Sequence, residues 1–516
     1  MAEITREPDR AAAAERSPLP YRRASLAARP EGPTVAPAGA PAAEARPSRA
    51  AAGPRGRAAA APQQEDGAEV ATATAAGLLI AFVVTLLIPL HFEVLGLRLS
   101  PLRIFLLAVF VPLLLRLLQG RAGRMRAIDL LLGLHCVWVF LALSVNHGAA
   151  RIPFAGITAV EIFGGYLVGR TLILNAVDYR ALIRYLLIGL GVVLPFAALE
   201  FATDRQPLRE ISAALAQSFE KAESSRPRMG FYRTMAVFEH PILFGVFCAI
   251  LLGPVMYLWR EQVARALMLA GGVAVMALMS LSSAPLIAVA LQFGLVAWDR
   301  ITRGRWILFL ALAAAAYVAV DLVSSRSPLR VMLHYLTFES HTGWARIHIW
   351  DAGVAAVKLQ PVFGYGLNDF PRPPWLTYSI DNFWLLLAVR YGLPGAGFLV
   401  AGVALGAWSV VRARGLSGTA RNIRTGHVIS LAGLFFVLST VHVWGATSTL
   451  VMCMIGASMW LTSPAAQGAA APEPGAATPR AAGPGFRRGG RPAAPAPARP
   501  AAGVFARAAV AGRRRG

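Results

Sequence analysis

Residues 338–395 read FESHTGWARIHIWDAGVAAVKLQPVFGYGLNDFPRPPWLTYSIDNFWLLLAVRYGLPG. The stretch opens in the longest polar break of an otherwise apolar chain and ends inside the next hydrophobic run. Gly343 to about Leu359 has the pattern of a helix, and Pro361 stops it. Arg346 and Trp350, four apart, share one face. Arg346 falls in the expected first turn, where a cation opposes the helix dipole and favours an anionic partner. Gly364-Tyr365-Gly366 predicts a tight turn, either a plain loop or one offering backbone N–H groups to an anion. Asp381-Asn382 stands just before the apolar run. One reading is a helix cap; the other makes Asp381 a carboxylate at the membrane surface, placed to accept a proton from a hydroxyl. The run 382–411 is too long for one straight crossing of a ~30 Å hydrocarbon core. Tyr391-Gly392-Leu393-Pro394-Gly395 is expected to break it into a short leading helix and a full crossing.

Long apolar runs and short polar breaks continue in both directions. Of 516 residues, 56% are hydrophobic and 15% charged, with a mean hydropathy of +0.54. A soluble protein carries about 25% charged residues, so the deficit points to a polytopic membrane protein. About twelve segments approach the ~20 residues a crossing needs: 73–91, 100–118, 127–145, 153–172, 179–201, 236–258, 264–280, 282–298, 304–323, 382–411, 427–444 and 446–462. Each must be a helix, because a single segment in lipid has no other way to pair its backbone groups. The expected fold class is therefore all-α.

Orientation follows from the arginines. With the N-terminus inside, Arg121, Arg124, Arg126, Arg170, Arg180, Arg184, Arg260, Arg265, Arg300, Arg303, Arg305, Arg412, Arg414, Arg421 and Arg424 fall on inner loops. Both termini are then cytoplasmic, and two long loops, about 202–235 and 324–381, face outward. Those loops nevertheless hold Arg209, Arg226, Arg228, Arg233, Arg346 and Arg372. Basic residues on the disfavoured side point to an anion handled there. Residues 1–70 bury too little apolar surface to fold alone and read as a disordered cytoplasmic tail. Residues 463–516 read likewise, more basic, leaving 71–462 as the transmembrane domain. The formal charge of +23 suits an anionic inner leaflet. No aromatic-interleaved basic patch supports nucleic acid as a partner. Cys136, Cys248 and Cys453 lie in apolar runs without metal-ligand spacing, and neither a metal nor another cofactor is expected.

A second polar motif lies where the first long loop meets the sixth span: Arg226-Pro-Arg228-Met-Gly230-Phe231-Tyr232-Arg233, then Phe238-Glu239-His240-Pro241. Pro241 suits a first helical turn. Clustered arginines at a membrane surface suit a diphosphate, because guanidinium pairs with phosphate oxygens. The plainer alternative is snorkelling arginines with His240 as a cap. Ser280-Leu281-Ser282-Ser283 lacks any nucleophile pattern and reads as a turn.

Three pieces taken in order, RMGFYRTMAVFEHPILFG, GWARIHIWDAGVAAVKLQPVFGYG and SIDNFWLLLAVRYGLPG, resemble the O-antigen ligase and polysaccharide polymerase (Wzy-like) superfamily over about residues 227–395. The resemblance implies a membrane-embedded glycosyltransferase with a GT-C-like fold. Its substrate would be an oligosaccharide on a polyprenyl diphosphate, normally undecaprenyl diphosphate, at the outer face of the bacterial inner membrane. The superfamily's basic loop residue would fall on Arg346, and the arginine before the sixth span on Arg228 or Arg233; these would hold the diphosphate. Asp381, Glu239 and His240 are the candidate catalytic groups. Ligases of the superfamily usually carry a histidine where this chain has Asp381, so the chain looks more like the exopolysaccharide polymerases.

The expected function is polymerisation of lipid-linked repeat units for exopolysaccharide or O-antigen. A ligase moving finished glycan to another acceptor is the alternative within the class, and a transporter or flippase is the alternative outside it. A transporter predicts ionisable residues within the spans, and few are present there, chiefly Glu161, Glu200 and Arg390. Whether the protein works alone or with a chain-length regulator or other polysaccharide export proteins stays open.

Overall fold

The computed structural model describes residues 62–94, 97–216, 227–324 and 340–468. Most of the two expected tails, and the middles of the two long loops with Lys221, Arg226, Arg326 and Arg330, lie outside the described residues. The chain divides into two units, Met1–Pro62 and Gln63–Gly516, and the architecture is that of the second.

Helices dominate it. They are α1 (Pro62–Leu86), α2 (Pro101–Leu118), α3 (Ala127–His147), α4 (Ile152–Ala159), α5 (Gly165–Leu172), α6 (Ala176–Thr203), α7 (Pro207–Ala216) and α8 (Pro241–Leu258). After these come α9 (Val263–Met279), α10 (Ser283–Thr302), α11 (Trp306–Val323), α12 (Ser340–Leu359), α13 (Phe383–Val411), α14 (Gly418–Leu438) and α15 (Gly445–Gly456). α1 begins ahead of the expected boundary near residue 70. One antiparallel hairpin, Phe92–Val94 with Leu97–Leu99, departs from the all-α expectation. Its alternating residues are too few to cross a membrane and too polar at Glu93 and Arg98 to enter one.

Among the described residues, eight helical stretches are long and apolar enough to span a membrane. One of them, Ala127–Leu172, holds two expected spans, joined by a short 3-10 turn at Gly148–Arg151. The expected spans 73–91, 264–280 and 427–444 meet shorter or shifted helices: Thr74–Leu86, Val263–Met279 and Gly418–Leu438. The last shift has a local cause. Ser417 caps α14 by accepting from the Ala420 amide at 3.3 Å, which winds Arg421 and Arg424 into the helix. At its far end the chain turns at Ser439 and Thr440, and 441–444 is non-helical.

α8 is the central helix, with nearly every residue buried. It packs on α9, α10 and α14. A Cβ on Gly253 would lie 2.3 Å from the Gly426 carbonyl, so α8 and α14 touch backbone to backbone, as small residues permit in lipid. Polar side chains join the same helices. Gln292 donates to Ala249 at 2.9 Å and accepts from the Gly253 amide at 3.1 Å, and Ser430 donates to Ile250 at 2.6 Å. The end of the bundle bearing the short basic loops is tied by two matching triads: Asp129 between Tyr166 and Arg170, and Asp299 between Tyr257 and Arg260. α11 has no buried residue and presents its apolar surface outward.

The expected break in α13 is present at Gly392, with φ 72° and ψ 177°. The loop before it repairs the break. The Leu393 amide donates to Pro361 at 2.7 Å instead of to Val389, and Pro394 has no N–H to give Arg390. The two freed carbonyls accept from Tyr365 at 2.8 Å and Gly366 at 2.9 Å. Of the two readings of Gly364-Tyr365-Gly366, this favours the loop over the anion cradle, because the Tyr365 and Gly366 N–H groups serve the helix break. α3 fastens the assembly. Trp138 stacks on Phe363 at 5.5 Å and donates to Tyr391 at 2.9 Å, and His147 Nε2 accepts from the Leu367 amide at 2.8 Å.

A Cβ at position 392 would sit 1.9 Å from the Val362 carbonyl, in a backbone conformation open only to glycine. Gly392→Ala should therefore destabilise the protein by roughly 2 kcal/mol or more. Gly397→Ala, which meets open space in a helix, should be neutral or slightly stabilising. Thermal unfolding of the detergent-purified protein checks both.

Candidate functional site

The site lies at the end of the bundle opposite the basic loops, where α6 finishes and α8 begins. The Arg228–Phe231 segment is a two-residue hairpin turn, with Met229 and Gly230 at φ 52° and 82°. Phe231 stacks on Phe201 at the end of α6, 4.5 Å between centroids. Glu200, buried in the last turn of α6, accepts the amides of Met235 at 2.8 Å and Ala236 at 2.9 Å. Arg209 of α7 donates to the Phe238 carbonyl. Glu200 and Arg209 thus shape the segment that delivers Glu239 and His240.

His240 caps α8. Its Nδ1 accepts from the Ile242 amide at 3.1 Å, and Pro241 occupies the first helical position. In the neutral ring this places the proton on Nε2, which faces outward as a donor. Burial, then the nearby charges of Arg233 and Arg228, push its pKa down to about 4. Those arginines are anchored by the turn after α9, Arg228 to the Leu281 carbonyl at 3.2 Å and Arg233 to Ser282 Oγ at 3.0 Å. The serine cluster is the expected turn.

Glu239 lies 3.7 Å from His91 Nε2. Burial alone would raise its pKa, but His91, Arg103 and a hydrogen bond from Trp444 outweigh that and hold the carboxyl below the usual range. Arg103 bonds Glu161 at 2.8 Å, and Glu161 sits in a π-helical turn, Val160–Gly164, between α4 and α5. Such turns concentrate at functional sites.

Arg346 and Asp381 form the second part. α12 begins at Ser340, so Arg346 stands in its second turn rather than the first. Its side chain is 12% exposed, and its nearest carboxylate oxygen is Oδ2 of Asp381, 3.9 Å from Nε. That is beyond hydrogen-bond length, and Arg346 Nε has no hydrogen-bond partner among the described residues. Burial lowers the Arg346 pKa and Asp381 partly restores it. The capping task falls on Asn382, whose side chain accepts from the Leu385 amide at 2.9 Å and donates to the Ser439 carbonyl at 2.6 Å. Asp381 is thereby left 43% exposed.

Rings connect the two parts. Phe383 stacks on His442 at 6.3 Å, His442 on Trp444 at 5.2 Å, and Trp444 lies 6.2 Å from His240. Burial, then Arg390, push His442 down to about 3, so it is a neutral member of this row. Of the residues singled out in the sequence, Arg228, Arg233, Glu239 and His240 come together, as do Arg346 and Asp381. Sequence reasoning missed His91, Arg103, His442 and Trp444. Each marks the polar edge of an apolar run, but spacing cannot reveal that positions 91 and 239 meet.

Two further surfaces adjoin the site. A groove of about 350 Å³ between α1 and α6 is lined almost wholly by apolar residues, including Val84, Leu87, Ile188 and Val192. It reaches Leu208 and Val237 beside the site. On the other side, Trp344 and Trp375, 48% and 58% exposed, stack at 5.2 Å.

The fold and the site together define a multi-pass membrane protein with a group of arginines and carboxylates at one end of its bundle. Residues 266–400 match the family model described as O-Antigen ligase. The resemblance to the O-antigen ligase and Wzy-like superfamily is borne out over that stretch, which contains Arg346 and Asp381 and stops short of Glu239 and His240. The match supports a ligase- or polymerase-type role in cell-surface glycan assembly, on a lipid-linked glycan. No curated protein matches the chain.

A neutral His240 makes stability depend on pH. Its folded pKa of about 4 lies below the unfolded value of ~6.5, so the unfolded chain takes up the proton first. This contribution is complete above ~6.5 and is lost as pH falls towards 4. His240→Asn keeps a capping oxygen and cannot titrate. The difference in melting temperature between wild type and H240N should therefore shift against the wild type between pH 6.5 and 4.

Proposed function

We propose that this protein is a membrane-embedded glycosyltransferase that polymerises polyprenyl-diphosphate-linked repeat units for a cell-surface polysaccharide. The observation that carries the reading is the pair Arg346 and Asp381: a largely buried guanidinium with an unsatisfied Nε beside an exposed carboxylate, inside the family-matched stretch. The growing chain on its lipid diphosphate is the donor, and the next lipid-linked unit supplies the hydroxyl. Asp381 takes the hydroxyl proton as that oxygen bonds to the anomeric carbon. The bond from that carbon to the diphosphate breaks, and its electron pair leaves with the polyprenyl diphosphate. Arg346, with Arg228 and Arg233, stabilises the departing charge without a metal. His240 contributes an Nε2–H donor. Glu239, engaged by His91, Arg103 and Trp444, keeps a fixed negative charge that orients those groups and is the second candidate base.

The apolar groove between α1 and α6 suits the polyprenyl tail, and the Trp344–Trp375 platform suits a sugar face. On this reading the cleft faces the periplasm from the inner membrane, both termini are cytoplasmic, and the helices make about twelve crossings in a GT-C-like arrangement. The family description itself favours the second reading, a ligase. Asp381, where ligases of the superfamily usually carry histidine, favours the polymerase.

Sizing lipid-linked glycans in a deletion strain separates the readings. Single repeat units without long chains are expected. Long chains stranded on the lipid would mean a ligase, and an unchanged profile would remove both. In the complemented strain, Asp381→Asn should lower polymer formation ~10²-fold or more. Arg346→Ala should do the same, and Arg346→Lys should restore only part, since it keeps the charge but loses the planar fork.

A further inference from the structure

At the end of the bundle remote from Glu239 lies a cavity of about 210 Å³. Three separate pieces of chain enclose it: the first turns of α6, the connection from α8 to α9, and the first turn of α14. Its wall carries Arg180, Arg184, Arg260 and Arg265 against one acid, Glu261, with Thr419 and Asn422 adding polar groups. Arg260 is engaged by Asp299 at 3.2 Å. Arg265 donates to Gln262 at 3.3 Å and lies over the Trp259 ring at 5.4 Å. Arg180 and Arg184, one turn apart on α6, make no hydrogen bond or ion pair with any described residue.

The plain reading is that these are the arginines any inner loop carries. That accounts for their sign. It does not account for their convergence, since solvated arginines repel one another and spread. Here guanidiniums from α6 and from the α8–α9 segment line one cavity large enough for much more than a single water. Thr419, Asn422 and Ile423 from the first two turns of α14 complete the wall.

We propose that this cavity is a binding site for a phosphate-bearing anion, held by paired bonds from Arg180, Arg184 and Arg265. Along α6, Arg184 and Glu200 are about 24 Å apart at 1.5 Å per residue, so the site is separate from the glycan cleft. With the orientation the basic loops predict, it opens at the level of the inner-leaflet headgroups. The phosphate then comes either from an anionic phospholipid or from a soluble diphosphate. Basic pockets between membrane helices on that side suit a cardiolipin headgroup.

The test uses full-length protein, purified in detergent and stripped of lipid. Native mass spectrometry and thermal unfolding are followed on adding cardiolipin, uncharged-overall phosphatidylcholine or inorganic pyrophosphate. We expect binding and a raised melting temperature with cardiolipin or with pyrophosphate, and not with phosphatidylcholine. A response to cardiolipin alone assigns the phospholipid; a response to pyrophosphate without lipid assigns the soluble ligand. The double variant Arg180→Ala/Arg184→Ala should bind about tenfold more weakly or worse. The single variant Arg184→Gln, at an exposed residue with no described partner, gives the same direction if the double variant does not fold. Arg414→Ala, exposed and outside the cavity, should bind normally, and so should Arg346→Ala, which disables only the glycan cleft. No response to either phosphate, or an equal response from the Arg180 and Arg184 variants, overturns the proposal.

Discussion

The structure turns on an exchange of hydrogen bonds at Gly392. A helix in lipid cannot leave carbonyls unpaired, yet Pro394 removes one donor and Gly392 turns the chain away from another. The loop 361–367 supplies what is missing: Tyr365 and Gly366 donate to Val389 and Arg390, and the Leu393 amide is taken by Pro361. Each partner closes a deficit in the other. The exchange fixes the short leading helix of α13 against the loop, and with it the position of Asp381 at the start of that helix and of Arg346 on α12. Trp138 and His147 of α3 lock the arrangement from the side.

Charge at the cleft is sorted by task. Glu200 is consumed in holding two backbone amides, and Arg209 in holding a carbonyl. Glu239, whose side chain is 37% exposed, is surrounded by donors that hold its carboxyl below the usual range. Arg346 and Asp381 are the pair left with spare bonding capacity, because 3.9 Å is too far for them to satisfy each other. On the proposed reading, the unsatisfied guanidinium of Arg346 is the group that would hold a phosphate oxygen. A carboxylate with exposed oxygens fits the transfer of a proton. The row of neutral rings from Phe383 to His240 carries no charge that would compete with either.

The two ends of the bundle use polar groups differently. The end with basic loops is stitched by Tyr–Asp–Arg triads in which the acid is shared and nothing is spare. Arg180 and Arg184, without a hydrogen bond or ion pair to any described residue, line the cavity there instead of a triad. α6, α8 and α14 run from one end to the other, so each contributes to both surfaces.

The class of structure is legible in the order of amino acids alone. Long apolar runs must be helices in lipid, arginine-rich loops mark one face, and YGLPG has to break the helix that contains it. The same order also named the residues of the cleft that lie in polar motifs, and Pro361 ended α12 where expected. Three-dimensional packing assigns the helix cap, giving it to Asn382 and freeing Asp381. It alone showed that the Tyr365 and Gly366 amides are spent on a helix break, that α14 starts at a serine cap inside a basic segment, and that His91 and Arg103 reach Glu239. The physical reason is common to all of these. Burial from lipid follows from local composition, whereas the partner of a polar group depends on which distant segment packs beside it.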